Sequence, residues 1–184
     1  MHSKNIRQMV MTAALLALTV VFQYIRLLPI PVDVSVYVIG TLVNLCLILA
    51  ATLVSLWSGL MISVAAPLVA LLQGYAQAPL LPFLVAGNVV LALLYGLIPG
   101  PGFQKSGKLA AIPWILAGVP GAAIKYFVIA AGMALMLSTA QGKTFYAMLA
   151  TGALRQVQQI ITALVAMALA YLTLPRLRKA SGIS

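Results

Sequence analysis

Apolar residues in this chain run in long blocks, separated by short clusters of Pro, Gly, Gln and basic residues, with no strand-like alternation. Six blocks stand out, at about 8–28, 36–55, 57–75, 79–98, 111–137 and 148–174. A helix of about 20 residues spans roughly 30 Å of hydrocarbon, so each block predicts a transmembrane helix. Barrel strands would be shorter and would alternate in polarity. The breaks have recognisable chemistry: Pro29, Pro31 and Asp33 end the first block, and Gln73, Gly74, Gln77 and Pro79 separate the third from the fourth. Pro99, Gly100, Pro101 and Gly102, followed by Lys105 and Lys108, mark a loop after the fourth, and 138–143 divides the last two. Ser55, Trp57, Ser58 and Gly59 are the only interruption between the second and third. No internal repeat is visible, which disfavours a transporter built from two duplicated halves.

Composition fixes the class. With 64% hydrophobic and 7% charged residues and a mean hydropathy of +1.13, the 184-residue chain lacks the polar surface of a soluble domain. The expected fold is all-α, a six-helix integral membrane bundle forming a single transmembrane domain over residues 1–184. The net charge of +10 does not point to nucleic acid, because most basic residues flank the apolar blocks. Lys4, Arg7, Lys105, Lys108, Arg176, Arg178 and Lys179 fall on one side and Arg26 and Lys143 on the other. Lys and Arg accumulate in cytoplasmic loops, so both termini are expected in the cytoplasm, with the basic tail beside anionic lipid. The first block is longer than a signal-peptide core and reads as a retained helix. Cys46, the single cysteine, lies within an apolar block and reads as a small packing residue.

Polar residues inside the blocks narrow the chemistry. The stretch GAAIKYFVIAA places Lys125 about mid-span in the fifth block, where a charge is costly and usually faces a cavity. In the sixth block RQVQQIIT sets Arg155, Gln159 and Thr162 at i, i+4 and i+7, with Gln158 beside them and Gln156 to the side. Asn44 and Asn88 fall at similar depth. Asn44, Asn88, Lys125, Tyr126, Arg155, Gln158 and Gln159 are therefore candidate substrate-binding residues. Alternative roles are interhelical hydrogen bonding for the asparagines, snorkelling to headgroups for Arg155 and core packing for Tyr126.

Asp33 is the only acidic residue, and it lies outside the blocks. Internal carboxylates cannot neutralise both Lys125 and Arg155, so either an external anion meets them through charge-assisted hydrogen bonds or Lys125 is uncharged. The same scarcity argues against catalysis. Paired carboxylates, a Cys/His cluster and a base for a serine nucleophile are all missing, and His2 is the lone histidine. No metal, cofactor or ATP site is expected, and the chain is not expected to be an enzyme. Ala13 and Ala17 in the first block form a small-xxx-small face suited to close helix approach.

The basic start running into KNIRQMVMTAALLALTVVF, the Ala13/Ala17 pair, the Pro-rich LLPIPVDVS loop, the six blocks and the polar outer half of the last helices resemble a substrate-binding S component of an energy-coupling factor (ECF) transporter. The resemblance covers nearly the whole chain. It implies a multi-pass protein of a prokaryotic plasma membrane that captures a vitamin or related small nutrient from outside and delivers it by toppling in the membrane. It further implies an ECF transmembrane coupling subunit and two ATPase subunits as partners, the partners alone using ATP, with Ala13 and Ala17 on the docking contact. Riboflavin, thiamine and biotin patterns are not matched; two buried cations and several amides favour a carboxylate- or phosphate-bearing nutrient, of which pantothenate is an example. The rival reading is a small structural or assembly subunit that binds no substrate.

Overall fold

The computed structural model of the protein describes residues 2–100 and 111–181. All secondary structure among them is helical. Helix α1 (His2–Gln23) ends in a 3-10 turn (Tyr24–Leu27), and the proline-rich link leads into α2 (Val32–Leu49). Pro31, whose ring fixes an extended-side entry at φ −51° and ψ 135°, stands at the N-cap of α2. The second block widens into a π turn (Ala50–Val54) before α3 (Leu56–Leu72). Ser55 makes that boundary: its backbone is extended, and its hydroxyl accepts the Ser58 N–H at 3.1 Å. A 3-10 turn (Ala78–Leu80) precedes α4 (Leu81–Leu97), and α5 (Ala111–Gln141) follows the segment that holds Lys105 and Lys108, which lies outside the described residues.

Five apolar segments are long enough to cross a membrane: Asn5–Leu27, Val32–Val54, Ala78–Leu97, Ala111–Gln141 and Phe145–Lys179. The third block is shorter than expected, because α3 has 17 residues and spans about 26 Å at the helical rise. The sixth block is not one helix. It breaks at Gln156 (φ −108°, ψ 7°) into α6 (Phe145–Arg155) and α7 (Val157–Ser181). No glycine or proline sits at the break; α6 packs along α5, whereas α7 packs along both α2 and α5. One straight helix does not serve both packings, and tertiary contacts override local propensity.

Helix α5 is central, flanked by α4, α6 and α7; α2 lies against α7, α3 against α4, and α1 against α2 and α3. Large apolar side chains such as Met9, Val21, Trp57, Leu72, Phe127, Tyr146 and Leu172 point outward, as on helices solvated by lipid. The main core lies toward the end that carries both chain termini, and includes Leu47, Ile48, Ile62, Leu91, Tyr95, Trp114 and Ala166. At that end Gln8 donates to the Val54 carbonyl at 3.4 Å and Arg178 to the Thr52 and Gly100 carbonyls at 3.3 and 3.4 Å. Three hydroxyls inside the bundle are satisfied locally: Thr19, Thr52 and Ser63 each donate to the carbonyl four residues back. Cys46 is a buried free thiol within this packing.

Candidate functional site

At the end of the bundle opposite the termini the helices enclose a cavity of about 330 Å³. Every helix except α6 contributes to its wall: Gln23 and Arg26 follow the course of α1, Asn44 comes from α2, Pro67 from α3, Asn88 from α4, Lys125 from α5 and Gln158, Gln159 and Thr162 from α7. Gln156, at the α6–α7 break, also faces it. The volume sits at the low end of small-molecule pockets, which run about 300–1,000 Å³.

Lys125 is only 3% exposed, and its ammonium donates to Asn44 Oδ1 at 2.5 Å. The Asn44 amide in turn donates to Thr162 Oγ1 at 3.2 Å, and that hydroxyl donates to the Gln158 carbonyl at 2.8 Å. This relay joins α5, α2 and α7 and fixes which way each polar atom points. Two close approaches make room for it. A Cβ on Gly40 would lie 3.0 Å from Thr162 Cγ2, and a Cβ on Gly87 would lie 3.1 Å from the Lys125 stem. Lys125 has spent one donor on Asn44; in its protonated form it has two more to offer a ligand and no acceptor.

A second cation, Arg26, stands at the α1 end of the cavity, half-buried with its guanidinium 4.5 Å from the centre of the Tyr75 ring. Cation–π attraction holds the group at that wall. No carboxylate lines the cavity; Asp33, the chain's only acidic residue, is exposed in the first turn of α2. Buried cations are ordinarily paired, and here the chain supplies amides in place of anions.

The structure brings Asn44, Asn88, Lys125, Gln158 and Gln159 together around this cavity. It places Tyr126 and Arg155 elsewhere. The break at Gln156 ends the helix that would have carried Arg155 on one face with Gln159 and Thr162, so Arg155 closes α6 and is exposed, while Gln156 takes the cavity position. The same break leaves the Ala153 carbonyl off the regular ladder, where it accepts from the Gln156 N–H at 3.1 Å and from the Tyr126 hydroxyl at 3.2 Å. Tyr126 therefore ties α5 to α6. Sequence reasoning passed over Gln23, Arg26 and Gln156. Gln23 and Arg26 are three apart, one helical turn, and that spacing was their available signal. Ala13 and Ala17 are exposed on the outer side of α1. Among the described residues no group of acidic, His or Cys side chains is suited to hold a metal.

These features define a class, a helical membrane protein whose polar residues converge on one internal cavity of small-molecule size. The family model for the substrate-specific component of ECF transporters matches residues 7–178, and the chain belongs to that family. No curated protein and no solved structure matches it.

Proposed function

We propose that this substrate-specific component captures a small nutrient bearing an anionic group from outside the cell, holding it in the cavity through Lys125. The single observation that carries this reading is a buried lysine amino group in the wall of a cavity that no carboxylate lines. An anionic group there gains charge-assisted hydrogen bonds that neutral ligands do not. Asn44 holds the ammonium in place, and Asn88, Gln156, Gln158 and Gln159 offer amides to the rest of the molecule. Arg26, in place of Arg155, is the second cation.

The chain crosses the membrane six times in this reading, the short α3 included, with both termini cytoplasmic and the cavity toward the outside. Arg7 and Arg178 lie at the terminal end and Arg26 and Lys143 at the other, in keeping with the inside excess of basic residues. The protein has no catalytic or cofactor chemistry of its own, and delivery depends on a separate coupling subunit and two ATPases. Ala13 and Ala17, small and outward-facing, serve that docking. Replacing both with Trp abolishes uptake in cells while binding by the isolated protein stays intact; equal loss of the two would return the pair to internal packing.

The test of the anion site is Lys125→Ala. Losing a charge-assisted hydrogen bond costs about 1.5–3 kcal/mol, so affinity for the nutrient that co-purifies with the protein, identified by mass spectrometry, falls at least about tenfold. The melting temperature falls modestly, because Asn44 Oδ1 loses its donor. Unchanged affinity in calorimetric titration beside a lowered melting curve would make Lys125 a structural residue.

A further inference from the structure

Two buried amides in the cavity wall are unspent. Asn88 of α4 and Gln156 at the α6–α7 break are 7% and 4% exposed, and both line the cavity. Neither side-chain amide is bonded to another group of the protein among the described residues, and their polar atoms keep accessible surface, whereas Gln23 Oε1 is sealed in. Asn44, by contrast, has both ends of its amide engaged, to Lys125 and Thr162. With no protein partner to fix them, the Asn88 and Gln156 amides can each turn either a donor or an acceptor to a guest. Both stand near Lys125. Gly87, next to Asn88, packs against the Lys125 stem, where an added Cβ would lie 3.1 Å from Cγ. Gln156 donates its N–H to the Ala153 carbonyl that also takes the hydroxyl of Tyr126, the residue after Lys125. Helix α4 and the α6–α7 pair each pack on α5 without packing on each other, so the two amides reach the cavity from different flanks of the lysine.

We infer that Asn88 and Gln156 bridge a secondary amide in the bound nutrient, one accepting from its N–H and the other donating to its carbonyl, so that the site prefers N-acyl amino acids to plain carboxylates. The inference rests on the anion-binding reading of Lys125. A trans secondary amide is planar and points its N–H and C=O in opposite directions, so one side chain does not serve both. Two free amides on separate walls do. A ketone only accepts, and an alkyl chain neither donates nor accepts. An apolar chain filling the cavity strips Asn88 and Gln156 of water and returns nothing, which is the costly way to bury a polar group. An amide also gives up its own water on entry, so it outbinds the matching alkanoate only where the site returns both bonds.

The experiment titrates the full-length protein in nanodiscs with matched probes. N-acetylglycine, N-acetyl-β-alanine and N-acetyl-γ-aminobutyrate are each compared with the ketone in which a methylene replaces the N–H, levulinate and its next two homologues, and with pentanoate, hexanoate and heptanoate. In at least one set the N-acetyl compound is expected to bind about tenfold more tightly than its alkanoate, with the ketone between them. Asn88→Leu and Gln156→Met each cut that preference severalfold, and the double variant brings it to about one, whatever happens to alkanoate affinity itself. Arg155→Ala, outside the cavity, keeps it. The comparison on the unmodified protein decides even where a variant fails to fold: if no N-acetyl compound outbinds its ketone and its alkanoate, the amide preference is overturned while the anion site stands. A preference that survives either single variant undiminished overturns the bridge. If no acid in the three sets binds, the anion-site reading fails and the inference goes with it.

Discussion

The two halves of the bundle are built from the same helices and differ in nearly everything else. On α2, Asn44 belongs to the cavity while Leu47 and Ile48, less than two turns on, belong to the dry core. The change falls between Asn88 and Leu91 on α4, between Lys125 and Ala122 on α5, and between Thr162 and Ala163 on α7. Four helices thus switch from polar to apolar lining at one level. Since lipid is as apolar as the core, packing and internal hydrogen bonds must hold such helices together. The half near the termini does this with close-packed Leu, Ile, Ala and aromatic side chains, including Tyr95 and Trp114 with ring centres 5.4 Å apart. The other half does it with the Lys125, Asn44 and Thr162 relay and a small apolar core of Ala134, Leu137 and Met148 between α5 and α6, and leaves room for a guest. Stability and recognition are separated along one axis.

That separation is open to direct challenge. The largest effect is expected in the dry half, where Leu91→Ala empties a fully buried position and costs about 2–3 kcal/mol of stability, the packing share of such truncations. Ligand affinity of the folded protein does not move; a parallel loss of affinity in titration would show that the halves are coupled. Asn44→Ala comes next, since it sits at the boundary and serves both roles. Leaving the buried ammonium without its acceptor costs about 1–2 kcal/mol in stability and, by freeing Lys125 from its fixed position, weakens binding severalfold. An effect confined to the melting temperature would assign Asn44 wholly to the scaffold. The smallest change is Arg155→Ala, at an exposed helix end, with stability expected within about 0.5 kcal/mol and affinity unaltered. A tenfold weakening there would put Arg155 back in the binding site.

The hydrophobic blocks were legible because length alone separates a membrane helix from its connections, and Ser55 was enough to divide the second and third. Depth was legible too: Asn44, Asn88, Lys125 and Gln159 came out at a common level from rise per residue and do line one cavity. Rotation was harder to read. A helix that is apolar all round carries little periodic signal to say which face looks inward, so Arg26 read only as a topology marker and Gln23 drew no reading. The break at Gln156 left no trace, since RQVQQIIT contains neither glycine nor proline. It arises from packing against partners far away in sequence, and it exchanged Gln156 for Arg155 in the cavity wall.

The turn between α2 and α3 carries a practical consequence. Residues Ala50–Val54 are buried, and Arg178 reaches over to bond the Thr52 carbonyl. This connection is sealed inside the protein instead of lying on its surface, unlike the exposed links at 28–31 and 141–144. Water-soluble thiol reagents applied to cysteines placed at 50–54 would meet silence, and an epitope inserted there would have to prise the core apart. Accessibility mapping of this chain would thus register α2 and α3 as a single buried stretch and count one helix too few.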